Sequence, residues 1–576
     1  MKIKYTVVII LPVIFIFAIF YQINAFETSS TTQSLIPTSI SDPAATVTGR
    51  IERIDGKTSA TSGHVAWAET VSTTPNDSDV FYRKLPSGTT KNLSDSLVSE
   101  GLAGPTFVQP GTGDNVCILW RERLASGEFH LFLWHSETDT VVTSPLAVSG
   151  DYSPTFYQFN CDQTNNLKIV WKERTGIMAE ELYLWDTANN TQTKISSDNQ
   201  SEIRDVYQAT TNTGMSFTWN EDGSIFLWST GSLATQEVVS NGYMTSMFSD
   251  KNDLIHIFWS YSPEMGPTCR YHWDSNSQTS SLIMPCDDDH DLATEKDYQD
   301  NVHAVWNRHL GNVLNYWNVT ENITETITLP NNHSVDKLTL TGGTGGIAHM
   351  IWEESNSDDI YYWNSRDKNV VLIQDGAFNS YITNSLTWDF DSTGDMHLIW
   401  GENDTGNVYY WNSASLTKQL LASSGGALRI LVDNEGTAHV VYVETTNSTR
   451  TINYWSNQSN ESQVVSSQIW TNGPFQLLTN ANNDPFVFYL ALIPSSSAGM
   501  YYYWSLTDGE VPLGKETFGA SYFTGNMMRD DSGRIYIYWR DPFMPGDENT
   551  AYDEDMFAAW ETQHQNSVYL PVIVSQ

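Results

Sequence analysis

A pair of short aromatic strands recurs about eleven times along this 576-residue chain. In a typical copy, residues 349–354 (HMIWEE) are followed by residues 360–365 (IYYWNS). The first strand carries an anchor aromatic, and successive anchors lie about 40 to 53 residues apart. The anchors are Trp67, Trp120, Trp171, Trp219, Trp259, Trp306, Trp352, Trp400, Tyr442, Tyr489 and Trp539. A period in this range, built from short aromatic strands, is typical of β-propeller blades.

Each unit is interpreted as four strands, with the anchor in the second strand and the Tyr-Tyr-Trp-Asn-Ser element in the third. Tight turns such as residues 391–394 (DSTG) then join the first and second strands. No stretch of the body shows an extended 3.6-residue apolar period, so the sequence predicts an all-β fold with almost no helix.

Eleven four-stranded blades exceed the common range of four to eight per ring. We therefore favour two consecutive rings, with blades 1–5 in residues 47–290 and blades 6–11 plus a C-terminal strand in residues 291–576. One large ring is the alternative. The apolar residues 567–574 (SVYLPVIV) are expected to close a ring as an outer strand, or else to form a sorting tail.

The N-terminal residues 1–25 have the pattern of a secretory signal peptide. Lys2 and Lys4 precede an apolar run, and Ala25 is a small residue ahead of a cleavage point. Residues 26–46 are rich in Ser and Thr and are interpreted as a spacer. A secreted or cell-surface protein is expected. An uncleaved N-terminal membrane anchor is the alternative, and contact with a membrane is expected only in that case.

The chain has a formal net charge of −39, with 68 acidic against 29 basic residues. Such a surface repels the phosphates of nucleic acids, so a nucleic-acid partner is not expected. Its 21 Trp, 28 Tyr and 23 Phe residues are far more than a disordered polyanion carries.

Four cysteines in an exported chain suggest two disulfides. Cys269 and Cys286 flank a predicted hairpin and come opposite each other in its register, so they are expected to pair. Cys117 and Cys161 then pair by elimination and join neighbouring blades.

The alternation of a His-x-x-Trp strand with an aromatic strand and a Ser/Asn turn resembles the blades of secreted sialidase-like propellers. These families often carry an Asp-box, Ser-x-Asp-x-Gly-x-Thr-Trp, between the third and fourth strands. Here the equivalent turns, residues 364–368 and 412–416, lack its Gly and Trp. The Arg-Ile-Pro element of sialidases is also absent. The resemblance therefore implies a propeller and does not transfer the sialidase activity.

Two sets of polar residues recur with the anchors. The first set stands three residues before the anchor and is expected to be structural: His64, His256, His303, His349, His397 and His439. The second set stands two residues after the anchor: Glu69, Glu122, Glu173, Glu221, Glu354, Glu402, Glu444 and Asp541. These acids either form a negatively charged ring on one face that binds a cation or a basic partner, or cap their loops by accepting backbone N–H bonds.

No metal site or cofactor is predicted, since no local set of three or four ligands has zinc spacing. The acidic runs at residues 287–291 and 547–555 are weak Ca²⁺ candidates, because they lack alternating Asp-x-Asp spacing.

The sequence favours an extracellular binding or interaction module over an enzyme, because no set of catalytic residues breaks the repeat. Its ligand would be a glycan or a protein. A secreted glycan-processing enzyme and a structural surface protein are the alternatives.

Overall fold

The computed structural model describes most of the repeat region. The described residues are 35, 38–40, 51–70, 78–94, 106–124, 126–148, 155–158, 161, 167–174, 179–197, 202–212, 214–263, 266–287, 292–307, 312–331, 333–355, 357, 359–376, 386–402, 405–446, 449–467, 475–492, 498–513, 517–518, 525–543 and 553–561. The signal-like segment and residues 567–574 lie outside this set.

The strands form eleven sheets of antiparallel strands, which we number as blades in chain order. Blade 1 comprises β2 (Ile51–Thr58), β3 (Gly63–Thr70), β4 (Ser78–Leu85) and β5 (Lys91–Asn92). Blade 2 comprises β6 (Phe107–Pro110), β7 (Val116–Arg123), β8 (Phe129–His135) and β9 (Thr140–Thr143). Blade 3 comprises β10 (Thr155–Gln158), β11 (Lys168–Arg174), β12 (Glu180–Asp186) and β13 (Thr191–Lys194). Blade 4 comprises β14 (Ile203–Thr211), β15 (Gly214–Glu221), β16 (Ser224–Ser229) and β17 (Thr235–Val239).

The next four blades keep the same order. Blade 5 comprises β18 (Tyr243–Ser249), β19 (Ile255–Tyr261), β20 (Thr268–Asp274) and β21 (Ser280–Asp287). Blade 6 comprises β22 (Leu292–Lys296), β23 (Val302–Asn307), β24 (Val313–Asn318) and β25 (Ile323–Thr328). Blade 7 comprises β26 (Val335–Gly342), β27 (Ala348–Glu354), β28 (Ile360–Asn364) and β29 (Val371–Gln374). Blade 8 comprises β30 (Thr387–Phe390), β31 (Met396–Gly401), β32 (Val408–Asn412) and β33 (Thr417–Ala422).

The last three blades complete the set. Blade 9 comprises β34 (Gly425–Val432), β35 (Ala438–Thr446), β36 (Thr449–Ser456) and β37 (Ser462–Ser466). Blade 10 comprises β38 (Phe475–Thr479), β39 (Pro485–Leu492), β40 (Ala498–Ser505) and β41 (Gly509–Pro512), with β42 (Thr517–Phe518) also paired to β40. Blade 11 comprises β43 (Asn526–Arg529), β44 (Ile535–Phe543), β45 (Asp553–Trp560) and β1 (Thr38–Ser39). Helix among the described residues is limited to one 3₁₀ turn, Thr344–Gly346.

The blades form a single closed ring, a β-propeller. The first strands of most neighbouring blades contact each other, which places the first strands at the centre of the ring. Buried apolar clusters fill the interfaces between neighbouring blades, and one of them joins Trp67 of blade 1 to Tyr536 of blade 11. This contact closes the ring. The observed arrangement is therefore one large ring, which was the alternative prediction. The favoured prediction of two consecutive rings is wrong.

Two features explain why the expected boundary near residue 290 does not open the ring. Phe258 of blade 5 packs with Val302 and Ala304 of blade 6, as at the other interfaces. The Ser246 and Thr294 hydroxyl oxygens also lie 2.6 Å apart across this boundary. Blades 5 and 6 are consecutive members of one ring.

The outer strand of blade 11 comes from the N-terminus. Thr38 and Ser39, within the stretch interpreted as a spacer, pair with Ala558 and Phe557 of β45. Ile40 beside them is fully buried in the interface between blades 11 and 1. The spacer interpretation is corrected for these residues, because an apolar side chain so placed is removed from water on ring closure. β1 is thus the outer strand of blade 11, and the outer strand expected at residues 567–574 lies outside the described residues.

The residues of the repeat each have a packing or hydrogen-bonding role, which blade 7 illustrates. Trp352 is fully buried and stacks on Tyr361, with ring centroids 5.7 Å apart. Asn364 accepts two backbone N–H bonds of the following turn through its side-chain oxygen. The Ser365 hydroxyl accepts the N–H of Ala348 at 3.0 Å, at the start of the second strand. The Tyr-Tyr-Trp-Asn-Ser pattern is therefore architectural.

Both predicted disulfides are present. The Cys269–Cys286 bond joins β20 and β21, with Cα atoms 4.1 Å apart. The Cys117–Cys161 bond joins blade 2 to the segment before β11 of blade 3, with Cα atoms 5.6 Å apart. In the part of the chain that the structure describes, no helix has the length and apolar character of a membrane span.

Candidate functional site

The repeated histidines lie in buried hydrogen-bonded chains. In five blades the histidine Nδ1 meets a tyrosine hydroxyl of the third strand at 2.7–2.8 Å. The pairs are His64–Tyr82, His303–Tyr316, His349–Tyr362, His397–Tyr410 and His439–Tyr454. His256 instead meets His272, at 3.0 Å. The structural interpretation of these histidines agrees with this burial and pairing.

An aspartate of the turn between the first and second strands fixes the orientation of several of these rings. In blade 9, Asp433 Oδ1 accepts the backbone N–H groups of Glu435 and Thr437, both at 2.8 Å. Its Oδ2 lies 3.1 Å from Nε2 of His439. Because a carboxylate accepts the Nε2–H bond, Nδ1 of His439 is left to accept the O–H bond of Tyr454.

Burial decides the charge state of this chain. It lowers the pKa of His439, so the imidazole is neutral at neutral pH. It raises the pKa of Tyr454 to about 12, so the phenol keeps its proton. Asp297 and His303 repeat the arrangement in blade 6, with a distance of 2.9 Å between Oδ2 and Nε2. We call each such set an Asp–His–Tyr chain.

Blades 2, 3 and 4 replace both members of the pair together. The histidine position holds Cys117, Lys168 and Ser216, and the tyrosine position holds Leu133, Leu184 and Leu227. The joint replacement has a physical reason, since either polar group alone would be buried without its partner.

The predicted acidic residues do not form an open ring of charge at the anchors where their contacts are seen. In four blades the carboxylate accepts the indole N–H of its own anchor tryptophan at 2.8–3.1 Å. These residues are Glu69, Glu122, Glu173 and Glu221. All four are buried. Their role is closer to the capping alternative, with an indole as the donor.

The other predicted acids differ from blade to blade. Glu354 is fully buried, and burial raises its pKa. Glu402 is partly exposed and accepts bonds from Thr405 and Asn407. Glu444 lies 3.5 Å from the side-chain nitrogen of Asn453. Asp541 belongs to β44, and its side chain lies outside the described residues. Four of the seven acids whose side chains are described therefore share one role, and the other three do not repeat it.

Replacing Glu122 by leucine is expected to lower the free energy of unfolding by about 1–3 kcal/mol, because the buried indole N–H of Trp120 loses its acceptor. Glu122→Gln keeps an acceptor oxygen and is expected to cost less. Urea denaturation of both variants measures the difference. Glu128→Ala, at an exposed position of the same blade, is the control. Equal stability of all three would contradict the capping role.

Blade 5 departs from the repeat at the end of its second strand. Tyr261 stands two residues after Trp259, where most blades have an acid, and is 37% exposed. Tyr243 begins the paired first strand, opposite Ser260, and is 55% exposed. Two exposed tyrosines thus occupy neighbouring strands at one end of blade 5.

Charged groups of blade 4 lie near Tyr243. The exposed Arg204 guanidinium bonds Glu202 at 2.6 Å, which lowers the pKa of that carboxyl. Asp205 adopts a left-handed conformation with φ of 49° at a bulge in β14. The negative charge of Asp205 and the nearby Tyr243 help to raise the pKa of Arg204, after the larger effect of Glu202. We define Glu202, Arg204, Asp205, Tyr243 and Tyr261 as the blade 4–5 edge.

No motif of the sequence points to the blade 4–5 edge. The available signal was Tyr261, which takes the place of an acid when the repeats are superimposed on their anchors. Tyr243 has no such signal, because the first strands vary too much to align.

Metal-binding groups are sparse in the described part of the chain. Cys117, His135 and Cys161 have possible ligand atoms within 4.8 Å of one another. The two cysteines are joined by a disulfide, so their sulfurs are not thiolate ligands. Of the Ca²⁺ candidates, residues 288–291 and 544–552 lie outside the described residues, and Asp553–Asp555 belong to β45.

No family model matches the sequence, and no curated protein matches it either. Solved structures resemble the chain at low identity. The tricorn protease is 10% identical, with 87% of this chain and 55% of that chain covered and a TM-score of 0.29. The chain therefore spans about half the length of that protease.

Two further solved structures are similar to the chain. Porphyromonas gingivalis dipeptidyl peptidase 4 is 12% identical, covering 83% of this chain and 68% of that one, with a TM-score of 0.33. The Dos1 propeller is 10% identical, and the match covers 57% of this chain and 86% of that chain with a TM-score of 0.33. Similarities this low carry no argument about activity, and the fold rests on the strand pairing described above.

Proposed function

We propose that the protein is an extracellular binding module whose ligand contacts the blade 4–5 edge. The observation that carries the proposal is the exposure of Tyr243 and Tyr261 at one end of a blade, where the repeat is broken. The two disulfides support an extracellular location, since such bonds persist in oxidising compartments.

The chemistry of the edge favours a glycan ligand. A tyrosine ring offers an apolar face and a polar hydroxyl, which suits a molecule with one apolar face and several hydroxyl groups. The guanidinium of Arg204 donates hydrogen bonds, and the carboxylates of Glu202 and Asp205 accept them. A few polar groups beside aromatic surface are the usual composition of a small-ligand site.

A glycan array probed with the mature protein tests the proposal. Tyr243→Ala and Tyr261→Ala are each expected to weaken binding of the best glycan at least tenfold, a loss of about 1.4 kcal/mol or more. Tyr298→Ala is the matched control, because Tyr298 is 70% exposed in the turn between β22 and β23, at the opposite end of its blade. Equal losses in the control would contradict a site at the edge.

Chromogenic glycosides incubated with the same protein separate binding from processing. If the protein releases the chromophore, and Glu202→Gln or Asp205→Asn abolishes this release, the protein is a glycan-processing enzyme and not a binding module. Binding of a protein to the edge, with no glycan retained, would assign it to a protein partner. If no ligand binds at the edge, the remaining interpretation is a structural surface protein.

A further inference from the structure

The His–Tyr pairs of blades 6 to 9 have a chemical property that packing alone does not require. In each of blades 6 to 9 the tyrosine hydroxyl oxygen lies 2.7–2.8 Å from Nδ1 of the histidine. This distance permits proton transfer. In blades 6 and 9 an aspartate accepts the Nε2–H of the histidine, so in these two blades the phenol faces the unprotonated nitrogen.

The same tyrosines touch tryptophans of the next blade. The pairs of ring centroids lie 4.8–5.1 Å apart, which is direct contact between aromatic rings. The pairs are Tyr316–Trp363, Tyr362–Trp411, Tyr410–Trp455 and Tyr454–Trp504. Each tryptophan directly follows the tyrosine of its own blade in the sequence. Ring contacts thus join each pair of neighbouring blades from 6 to 10, and within a blade the tyrosine and the tryptophan are consecutive residues of one strand.

We propose that these residues form a path along which an oxidising equivalent moves through the ring, with the histidines as proton acceptors. The path begins when a one-electron oxidant, such as a radical derived from a peroxide, removes an electron from Trp504. Tyr454 returns an electron to Trp504. As it does so, its phenol proton passes to Nδ1 of His439.

The step is balanced in electrons and protons. The oxidant gains one electron, Trp504 is restored, and Tyr454 becomes a neutral phenoxyl radical. The proton stays on His439, whose imidazolium is stabilised by the carboxylate of Asp433 at 3.1 Å. Without a proton acceptor the buried tyrosine would have to form a charged radical, which burial disfavours. Trp455 of the same blade then connects the site to Tyr410.

Blades 2 to 4 limit the path. They hold leucine at the tyrosine position, so a phenol is missing there. In blade 5 the position is held by His272, whose ring lies 5.1 Å from Trp317. The path therefore covers about half of the ring and is independent of the blade 4–5 edge.

Flash photolysis with a site-attached oxidant tests this inference. All four cysteines are in disulfides, so a cysteine introduced as Leu506→Cys accepts a ruthenium photo-oxidant at one exposed position near Trp504. A transient tyrosyl radical is expected after the flash. Its formation is expected to slow in heavy water, because a proton moves with the electron.

Tyr454→Phe in this labelled protein is expected to lower the radical yield severalfold, since the first phenol of the path is lost while its ring remains. Tyr502→Phe is the matched control, because Tyr502 stacks on Tyr489 and is not part of an Asp–His–Tyr chain. Thermal unfolding of each variant checks that it is folded. Tyr410→Phe removes a second phenol of the path, one blade further from the photo-oxidant. Equal yields in Tyr454→Phe and Tyr502→Phe, or no isotope effect, would overturn the inference.

Discussion

Replacing Trp352 by alanine is expected to lower the free energy of unfolding by about 3–5 kcal/mol, as truncation of a fully buried tryptophan does. Trp352 is 0% exposed and lies in the cluster between blades 6 and 7. Neighbouring sheets have no other core than this contact, so the lost volume leaves a cavity that the strands cannot fill. Chemical denaturation, monitored by the far-ultraviolet circular dichroism of the backbone, measures the loss of stability.

Trp400→Ala provides a test of the repeat itself. Trp400 is also 0% exposed and stacks on Tyr409 with centroids 5.5 Å apart, close to the 5.7 Å of Trp352 on Tyr361. The two losses should therefore be similar. Leu372→Ala, at a position 47% exposed on an outer strand, is the control and should cost well under 1 kcal/mol. Unchanged stability in both tryptophan variants would mean that the anchors are not core residues.

Acidification is expected to destabilise the protein from about pH 6.5 downwards. Burial lowers the pKa of His64 to about 4, that of His272 to about 4 and that of His349 to about 3. In the unfolded chain these groups return to about 6.5. Between the two values the unfolded state binds more protons than the folded state, so stability falls as the pH falls.

The expected size is about 2 kcal/mol for each such histidine at pH 5, at about 1.4 kcal/mol per pH unit. Urea denaturation at pH 7 and at pH 5 gives this difference. The double variant His349→Ser with Tyr362→Leu copies the pair Ser216 and Leu227 of blade 4, and it should show a smaller loss at pH 5 than the wild type. An equal loss in the double variant would show that His349 does not contribute.

The residues of the repeat were sufficient to predict the fold. The spacing of the anchors gives the number of blades, and turns such as residues 391–394 give the strand order, because both depend on local chemistry. The pairing of Cys269 with Cys286 also follows from hairpin register. The His–Tyr pairs could be predicted only in part, since the sequence shows His397 but not that Tyr410 in the next strand faces it.

The number of rings could not be predicted from the repeats. Blade 5 meets blade 6 through Phe258 and Val302 as any two blades meet, and no local pattern records whether blade 11 returns to blade 1. The strand at Thr38–Ser39 is also too short to carry a period. The blade 4–5 edge was missed because a single exposed tyrosine has no pattern of its own.

The position of β1 means that the ring can close only after blade 11 has been synthesised. β1 is synthesised before every other described strand, yet its partner β45 is synthesised after all of them. The Leu35 N–H donates to the Tyr503 hydroxyl across 468 residues, and Arg540 donates to the Ile51 carbonyl across 489. Until blade 11 has been made, blade 1 exposes an apolar side with no neighbour, and so does each newest blade. The growing chain is therefore a row of half-covered sheets, whose exposed apolar sides and unpaired edges favour aggregation until the ring closes.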